Sequence, residues 1–387
     1  MKIALISRRY PPLIGGAERI LSYLAKALAD AGTDVTVLTC RPFDFEGPEV
    51  ETQPISNRAG KLTIVRLRTS PWRFIGTWIY MRELRRWLFR HPIDVAYVSM
   101  LKHDAYVAVK AARELRFLVV LRAEGAGATG DIAWQSWGRL GSRIAKVCKT
   151  ADSIVSISDA VTAELKAAGY APKDICSLPN GVPIPQSAWK RRDGWRDAPK
   201  ACYIGRLAPE KGLDTLVEAW PKVIEAFPKA RLTLVGEGPE RSRLEARIKA
   251  LGLEGAVELP GASSDPISAL RQSDLFVLPS REEGMSIALL EAMALGIPLV
   301  ATAIPGNICL IPSNETGRLA KPGDPSDIAQ AIIDQWTHFD AAHKMARTAR
   351  IRVAESYSIK ALAHDHLEMF RWLMLRKMTG GPSSKDK

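Results

Sequence analysis

Short apolar runs alternate with longer amphipathic stretches along this chain, and the alternation starts over near residue 200. "KIALIS" leads into "AERILSYLAKALADAG", whose Ile20, Leu21, Leu24, Ala27, Leu28 and Ala31 recur at i, i+3, i+4 spacing. Gly32 closes that helix and "DVTVLT" is the next strand. "LTIVRL", "DVAYVS", "FLVVL", "SIVSIS" and "ICSLP" continue the series. After "NGVPIPQSAWKRRDGWRDAPK", rich in Pro, Gly and charge and read as a linker, come "ACYIGRL", "GLDTLVEAWPKVIEAF", "ARLTLVGEG", "PERSRLEARIKALG" and "AVELPG". Such β–α–β alternation predicts parallel sheets covered by helices. Two series predict an α/β protein of two facing Rossmann-like, doubly wound domains, whose ligands lie in the cleft beyond the carboxyl ends of the strands. The expected boundaries are 1–184, with a final helix from about 360 to 378 crossing back to that domain, 185–359, and a flexible tail at 379–387.

The stretch from Met285 to Ala303 is almost wholly apolar and has the length of a membrane span. Gly296 and Pro298 break it, so it reads as a helix from about Ser286 to Leu295 followed by a buried strand. Ser286 suits the N-cap. Glu291 stands inside that helix, either at its one exposed position or buried with a partner. The start "MKIALISRRYPP" is not a secretory signal, since its apolar run ends at Arg8 and Arg9. Five cysteines with no C-x-x-C pair argue against a disulfide framework or a zinc site and fit a reducing cytoplasm.

Residues 1–187 carry 26 Lys and Arg against 17 Asp and Glu, and residues 188–387 carry 28 against 25. The excess therefore points the first half toward an anionic partner. Within it, "SPWRFIGTWIYMRELRRWLFRH" interleaves Trp72, Trp78, Trp87 and Phe89 with arginines. That pattern suits either an anionic membrane surface or a helix with a buried apolar face and solvated arginines. No nucleic-acid motif is present.

Several loops could carry chemistry. "YPPLIGGAER" sets Gly15 and Gly16 ahead of a helix, where backbone N–H groups suit phosphate. "VGEGPER" has Gly236 and Gly238, but Arg241 stands where a dinucleotide fingerprint needs its third glycine. "YIGRLAPEKG" places Arg206 and Lys211 around a strand end, where two cations suit a diphosphate or are simply solvated. Glu283 lies ahead of the helix that contains Glu291.

Together "YPPLIGGAER", "PNGV", "GRLAPEKG", "VGEGP" and the E-x7-E spacing of Glu283 and Glu291 with "LEAMALGIPLVAT" resemble the family-four retaining glycosyltransferases of GT-B fold. The resemblance covers nearly the whole chain in order. It implies that Arg206 and Lys211 hold the diphosphate of a nucleotide-sugar donor in place of a metal, since no D-x-D occurs. It gives Glu283 the hydroxyls of the transferred sugar, the backbone of Gly284, Met285 and Ser286 the phosphate, and Glu291 the ribose. Gly15, Gly16 and Gly236 would lie along the same donor. No cofactor or metal is expected beyond a UDP-, GDP- or ADP-sugar, and the acceptor would be a saccharide or a lipid-linked one.

Two positions depart from the family. Where many members have a histidine before a glycine, this chain has "LRAEGAGATGD", so that either Glu124, Arg122 or Asp131 takes over the positioning role or the acceptor site differs. His103 is a further acceptor-side candidate, and Cys309 stands where an acidic residue is common. The expected location is the cytoplasm, with peripheral attachment at the inner face of the membrane. A nucleotide-sugar epimerase and an inactive sugar-nucleotide-binding protein are the rival readings. A phosphorylase would be longer and carry a pyridoxal-linked lysine.

Overall fold

The computed structural model describes residues 1–13, 15–55, 60–128, 130–171, 174–190, 197–263 and 265–379. The expected tail lies almost wholly outside these residues, as does part of the expected linker. The chain divides into two compact units. One comprises residues 1–13 and 17–181 with the closing helix Ile359–Met378, and the second is built on Val182–Ser358.

The first unit's sheet contains β1 (Lys2–Ile6), β2 (Asp34–Cys40), β3 (Val50–Gln53), β4 (Lys61–Leu67), β5 (Val95–Ser99), β6 (Leu118–Ala123), β7 (Ser153–Ser156) and β8 (Ile175–Ser177). Their spatial order is β3-β4-β2-β1-β5-β6-β7-β8. All neighbours are parallel except β3, which pairs antiparallel with β4. β5 and β6 are buried at every position, as a sheet covered on both faces requires. The order reverses direction between β1 and β5, so the chain leaves a crevice beyond their carboxyl ends.

The second unit's sheet holds β9 (Lys200–Ile204), β10 (Arg231–Val235), β11 (Val257–Gly261), β12 (Leu275–Leu278), β13 (Leu299–Thr302) and β14 (Arg318–Ala320). It is parallel in the order β11-β10-β9-β12-β13-β14. Its switch point lies between β9 and β12. The two units are thus Rossmann-like α/β domains, as the alternation of the sequence predicts.

The closing helix buries Ile359, Leu362, Ala363, His366, Leu367, Phe370 and Leu373 in the first unit, at the spacing of one helical face. Phe370 meets Tyr97 of β5 edge-on at 5.8 Å between centroids, and Lys377 Nζ donates to Phe117 O at 2.9 Å.

The Met285–Ala303 run forms a helix, Ile287–Leu295, then a turn and β13. Ser286 caps the helix by accepting from the Leu289 N–H, and Gly296 ends it in the left-handed conformation at φ +78°. Among the described residues no helix is long and apolar enough to cross a membrane. The segment read as a linker is in part anchored instead. Trp189 is buried in the second unit, its indole N–H donating to Ser273 O at 2.8 Å and its backbone N–H to Leu295 O at 2.7 Å. Composition rich in Pro and charge misleads there because one aromatic side chain outweighs its polar neighbours.

Candidate active site

The loop after β9 and the loop after β12 meet at the second unit's switch point. Gly212 ends a short 3-10 turn, Pro209–Lys211, at φ +62°, and a Cβ there would stand 2.2 Å from Pro279 O. Only glycine fits such an approach. The Arg281 and Glu282 N–H groups donate to Glu210 O at 2.8 and 3.3 Å. Arg281 also reaches Pro209 O at 2.9 Å and pairs with Asp214 at 2.9 Å. Burial works against the Asp214 charge, but Arg281 and the Thr215 N–H outweigh it and hold the carboxyl below its ordinary range.

This clasp sets Lys211 Nζ 2.7 Å from Glu283 Oε1, a contact between residues 72 apart in sequence. Ser280 Oγ donates to the same oxygen at 2.9 Å. Thr302 on β13 donates to Ser280 O, and Asn307 Nδ2 donates to Thr302 O at 3.0 Å. Gly306 closes the far side, where a Cβ would lie 2.2 Å from Glu283 O. Glu283 is therefore fixed in backbone and side chain alike.

Arg206 stands two residues past β9 with its side chain largely exposed, 3.8 Å from Glu210. Its carbonyl accepts from Tyr203 OH at 2.9 Å. Gly236 follows β10 at φ +151°, where a Cβ would fall 1.8 Å from Gly205 O, so glycine lets the two strand ends close up. Gly284, Met285 and Ser286 run from Glu283 into the helix, and Glu291 is 2% exposed within it, which removes the reading of an exposed position. Glu283, Lys211, Ser280 and the start of the Ile287–Leu295 helix form one cluster. Arg206 borders it through the β9 loop. Gly16 opens the helix Gly16–Asp30, with Gly15 just before it.

In the first unit, Glu124, Arg122 and Asp131 form a second network. Arg122 is 1% exposed, its Nε 3.0 Å from Glu124 Oε1 and its Nη2 donating to Asn180 Oδ1. Ser99 Oγ donates to Glu124 Oε1 at 2.7 Å. Burial disfavours the Arg122 charge, but Glu124 and Tyr97 more than restore it and raise its pKa. Asp131 accepts from the N–H groups of Leu101 at 3.1 Å and Glu124 at 2.8 Å. Burial pushes its carboxyl up, opposed by those bonds and by Lys102. The network ties the loop after β5 to the loop after β6.

His103 sits apart from that network, its ring edge-on to Trp134 at 5.3 Å. Burial, then Arg8 and Lys102, lower its pKa. Asp104 beside it is buried, accepts from Tyr80 OH at 3.2 Å, and is pushed up to about 6 by burial against the pull of Arg8.

Sequence comparison identifies the family. The family described as Glycosyltransferase Family 4 matches residues 14–185, and Glycosyl transferases group 1 matches residues 186–352. The chain belongs to the family-four glycosyltransferases. Glycogen synthase of Mycobacterium tuberculosis is 27% identical over 393 residues, 94% of this chain and 92% of that one. Alpha-D-kanosaminyltransferase of Streptomyces kanamyceticus is 32% identical over 184 residues, 47% of this chain and 48% of that one. Sucrose-phosphate synthase from Thermosynechococcus elongatus superposes with a TM-score of 0.82 at 22% identity, covering 97% of this chain and 99% of that one. Anabaena HepE in complex with UDP-glucose superposes at 0.78 and 19% identity, covering 96% and 100%. The fold of this glycosyltransferase is GT-B.

Four residues that sequence reasoning passed over complete the glycosyltransferase's two clusters: Ser280, Thr302, Gly306 and Ser99. Ser99 and Ser280 had a usable signal, since Ser99 ends β5 and Ser280 stands two residues past β12, each strand beside its unit's switch point.

Proposed function

We propose that this chain is a metal-independent retaining glycosyltransferase that moves a hexose-type sugar from a nucleotide diphosphate sugar to a saccharide or lipid-linked acceptor. The Lys211–Glu283 pair at the β9/β12 switch point carries the reading. It sets a cation and a carboxylate side by side where a parallel sheet binds nucleotides. A donor diphosphate would share the Lys211 ammonium with Glu283 and draw in the exposed guanidinium of Arg206. Both cations would stabilise the charge that grows on the leaving phosphate, each worth about 3 kcal/mol of barrier. Glu283 would accept from sugar hydroxyls, the N–H groups of Gly284 to Ser286 would meet the phosphate, and Gly236 would leave room beside it. Glu291 would accept from the ribose.

The bond from the anomeric carbon to the phosphate oxygen breaks and a bond to the acceptor oxygen forms on the same face. The acceptor proton passes to the departing phosphate, so no protein base is required. Glu124, held by Arg122 and Ser99, would position the acceptor side together with His103, and Asp131 would fix the loop that carries them. A structural relative supports a nucleotide-sugar donor, since HepE is described with UDP, with UDP and glucose, and with UDP-glucose. Five free cysteines support a reducing, cytoplasmic location.

The test is product analysis. UDP-, GDP- and ADP-glucose are each incubated with saccharide and lipid-linked acceptors in EDTA, and the anomeric configuration of the product is read by NMR. Transfer with the donor's configuration kept supports the reading. Inversion, a strict metal requirement, or epimerisation of the donor without any acceptor refutes it.

A further inference from the structure

The first unit exposes a group of large apolar side chains that the chemistry above does not use. Trp72, Phe74 and Trp78 are 70%, 71% and 60% exposed, and Trp137 is 69% exposed. Ile75 and Leu140 are exposed beside them in sequence. Scattered apolar side chains on a surface need no explanation, but a contiguous group does. Arg139 joins the two segments, its guanidinium 5.2 Å from the Phe74 ring centroid. Arg82 lies over Trp78 at 5.4 Å, and Arg85 over Phe89 at 4.4 Å. Aromatic rings are thus interleaved with cations, with apolar bodies and charged heads on one face.

The charge around the patch is one-sided. Residues 70–149 hold 14 Lys and Arg against 6 Asp and Glu. Three of the six acids, Asp104, Glu124 and Asp131, are held by internal partners, whereas Arg82, Arg85, Arg139, Arg143 and Lys146 are exposed. The patch also runs into the strand ends of the sheet. Thr77, between Phe74 and Trp78, accepts from Arg8 Nη1 at 2.8 Å. Trp137 packs on Trp134 at 6.4 Å, and Trp134 meets His103 and the Lys102 ammonium, the latter at 5.6 Å. Arg8 follows β1 and Lys102 follows β5, the two sides of the first unit's switch point.

We infer that this face, built from Trp72, Phe74, Trp78 and Trp137 with Arg82, Arg85 and Arg139, docks the protein on an anionic lipid bilayer. The rings sit at the headgroup level with their apolar bodies in the acyl boundary, and the arginines meet lipid phosphates. A second copy of the chain is the poorer occupant, because a two-fold contact would set this excess of cations against itself. The docking does not depend on the donor chemistry of the second unit, and its failure would leave that reading intact.

Vesicle flotation tests it with the full chain. The protein is expected to float with phosphatidylglycerol–phosphatidylcholine vesicles, to float far less with pure phosphatidylcholine, and to lose most binding in high salt. Replacing Trp72, Phe74 and Trp78 together by serine should weaken partitioning at least tenfold. The Arg82→Gln/Arg85→Gln/Arg139→Gln variant should weaken it on the order of a hundredfold, each cation near an anionic surface being worth about fivefold. Circular dichroism of both variants should match the parent, since the altered side chains are exposed. No flotation with anionic vesicles, or flotation unchanged in both variants, overturns the proposal. So does a dimer in sedimentation velocity that the same serine substitutions dissolve.

Discussion

Glu124→Ala removes the carboxylate that faces Arg122, and the structure sets the size of the effect. Arg122 is 1% exposed, and Glu124 Oε1 is its ion-pair partner at 3.0 Å. The same oxygen accepts the Ser99 hydroxyl at 2.7 Å. Breaking a buried pair while the other charge stays costs about 3–5 kcal/mol, and Glu124 is itself half-buried, so about 3 kcal/mol is expected. For a unit of this size that is a fall in Tm of roughly 6–12 °C. Arg122→Met/Glu124→Ala exchanges the pair for apolar atoms and should recover much of the loss, leaving a coupling of about 2 kcal/mol. Urea unfolding of the four proteins, with amide exchange of β5 and β6 as a local probe, measures the cycle. A cost below about 1 kcal/mol for Glu124→Ala, or strict additivity in the double variant, would refute the argument that this carboxylate anchors the loop. Glu124→Gln keeps an acceptor oxygen for Ser99 and Arg122 but removes the charge, so its stability should fall between those of the parent and Glu124→Ala. A large fall in kcat with stability retained would show that the charge acts on substrate.

Lys211→Met should lower kcat/KM about a hundredfold, from the loss of about 3 kcal/mol of charge stabilisation in the transition state; steady-state kinetics showing full activity would remove Lys211 from the mechanism. Gly306→Ala would press a methyl group to 2.2 Å from Glu283 O. It should cost at least tenfold in kcat/KM while the circular dichroism spectrum is kept, and unchanged kinetics would show that Glu283 need not be held in place. His366 is buried, with Nδ1 donating to Leu362 O at 2.6 Å and Nε2 accepting from Tyr97 OH at 3.1 Å, and burial lowers its pKa to about 4. The folded value lies below the ordinary 6.5. Its contribution is therefore present in full above about 6.5 and is lost as the pH falls toward 4, to a total of about 3 kcal/mol. Urea midpoints at pH 7 and 4.5 should converge more in His366→Gln than in the parent, and equal slopes would contradict this.

Much of the fold was written locally. The helix Ile287–Leu295 has its cap in Ser286 and its stop in Gly296, both chemical necessities of helix ends. β1, β5 and β6 are apolar runs because both faces of a parallel sheet are covered. β3 was not legible. Its "VETQ" lies at a sheet edge with an exposed or half-buried side chain at each position, so it carries little pattern. β14 has only the residues "RLA" and owes its place to pairing with β13. Trp189 was hidden by its neighbours, since composition averages over a window and burial is decided by one indole. At the site, Lys211 and Glu283 were singled out from separate stretches, but their contact depends on β9 lying beside β12. Nothing in the spacing of 72 residues reports that adjacency. Glu291 was undecided in sequence between exposure and burial, and the all-round packing of its helix settled it.

We propose that the crevice beyond β9 and β12 takes a nucleotide diphosphate sugar without a metal. Titration calorimetry of the full chain with UDP-, GDP- and ADP-glucose in EDTA, repeated on Lys211→Met, tests it directly. The expected result is saturable binding of one of the three to the parent chain, weakened at least tenfold in the variant. Binding of none of them, or equal binding by both proteins, would contradict it.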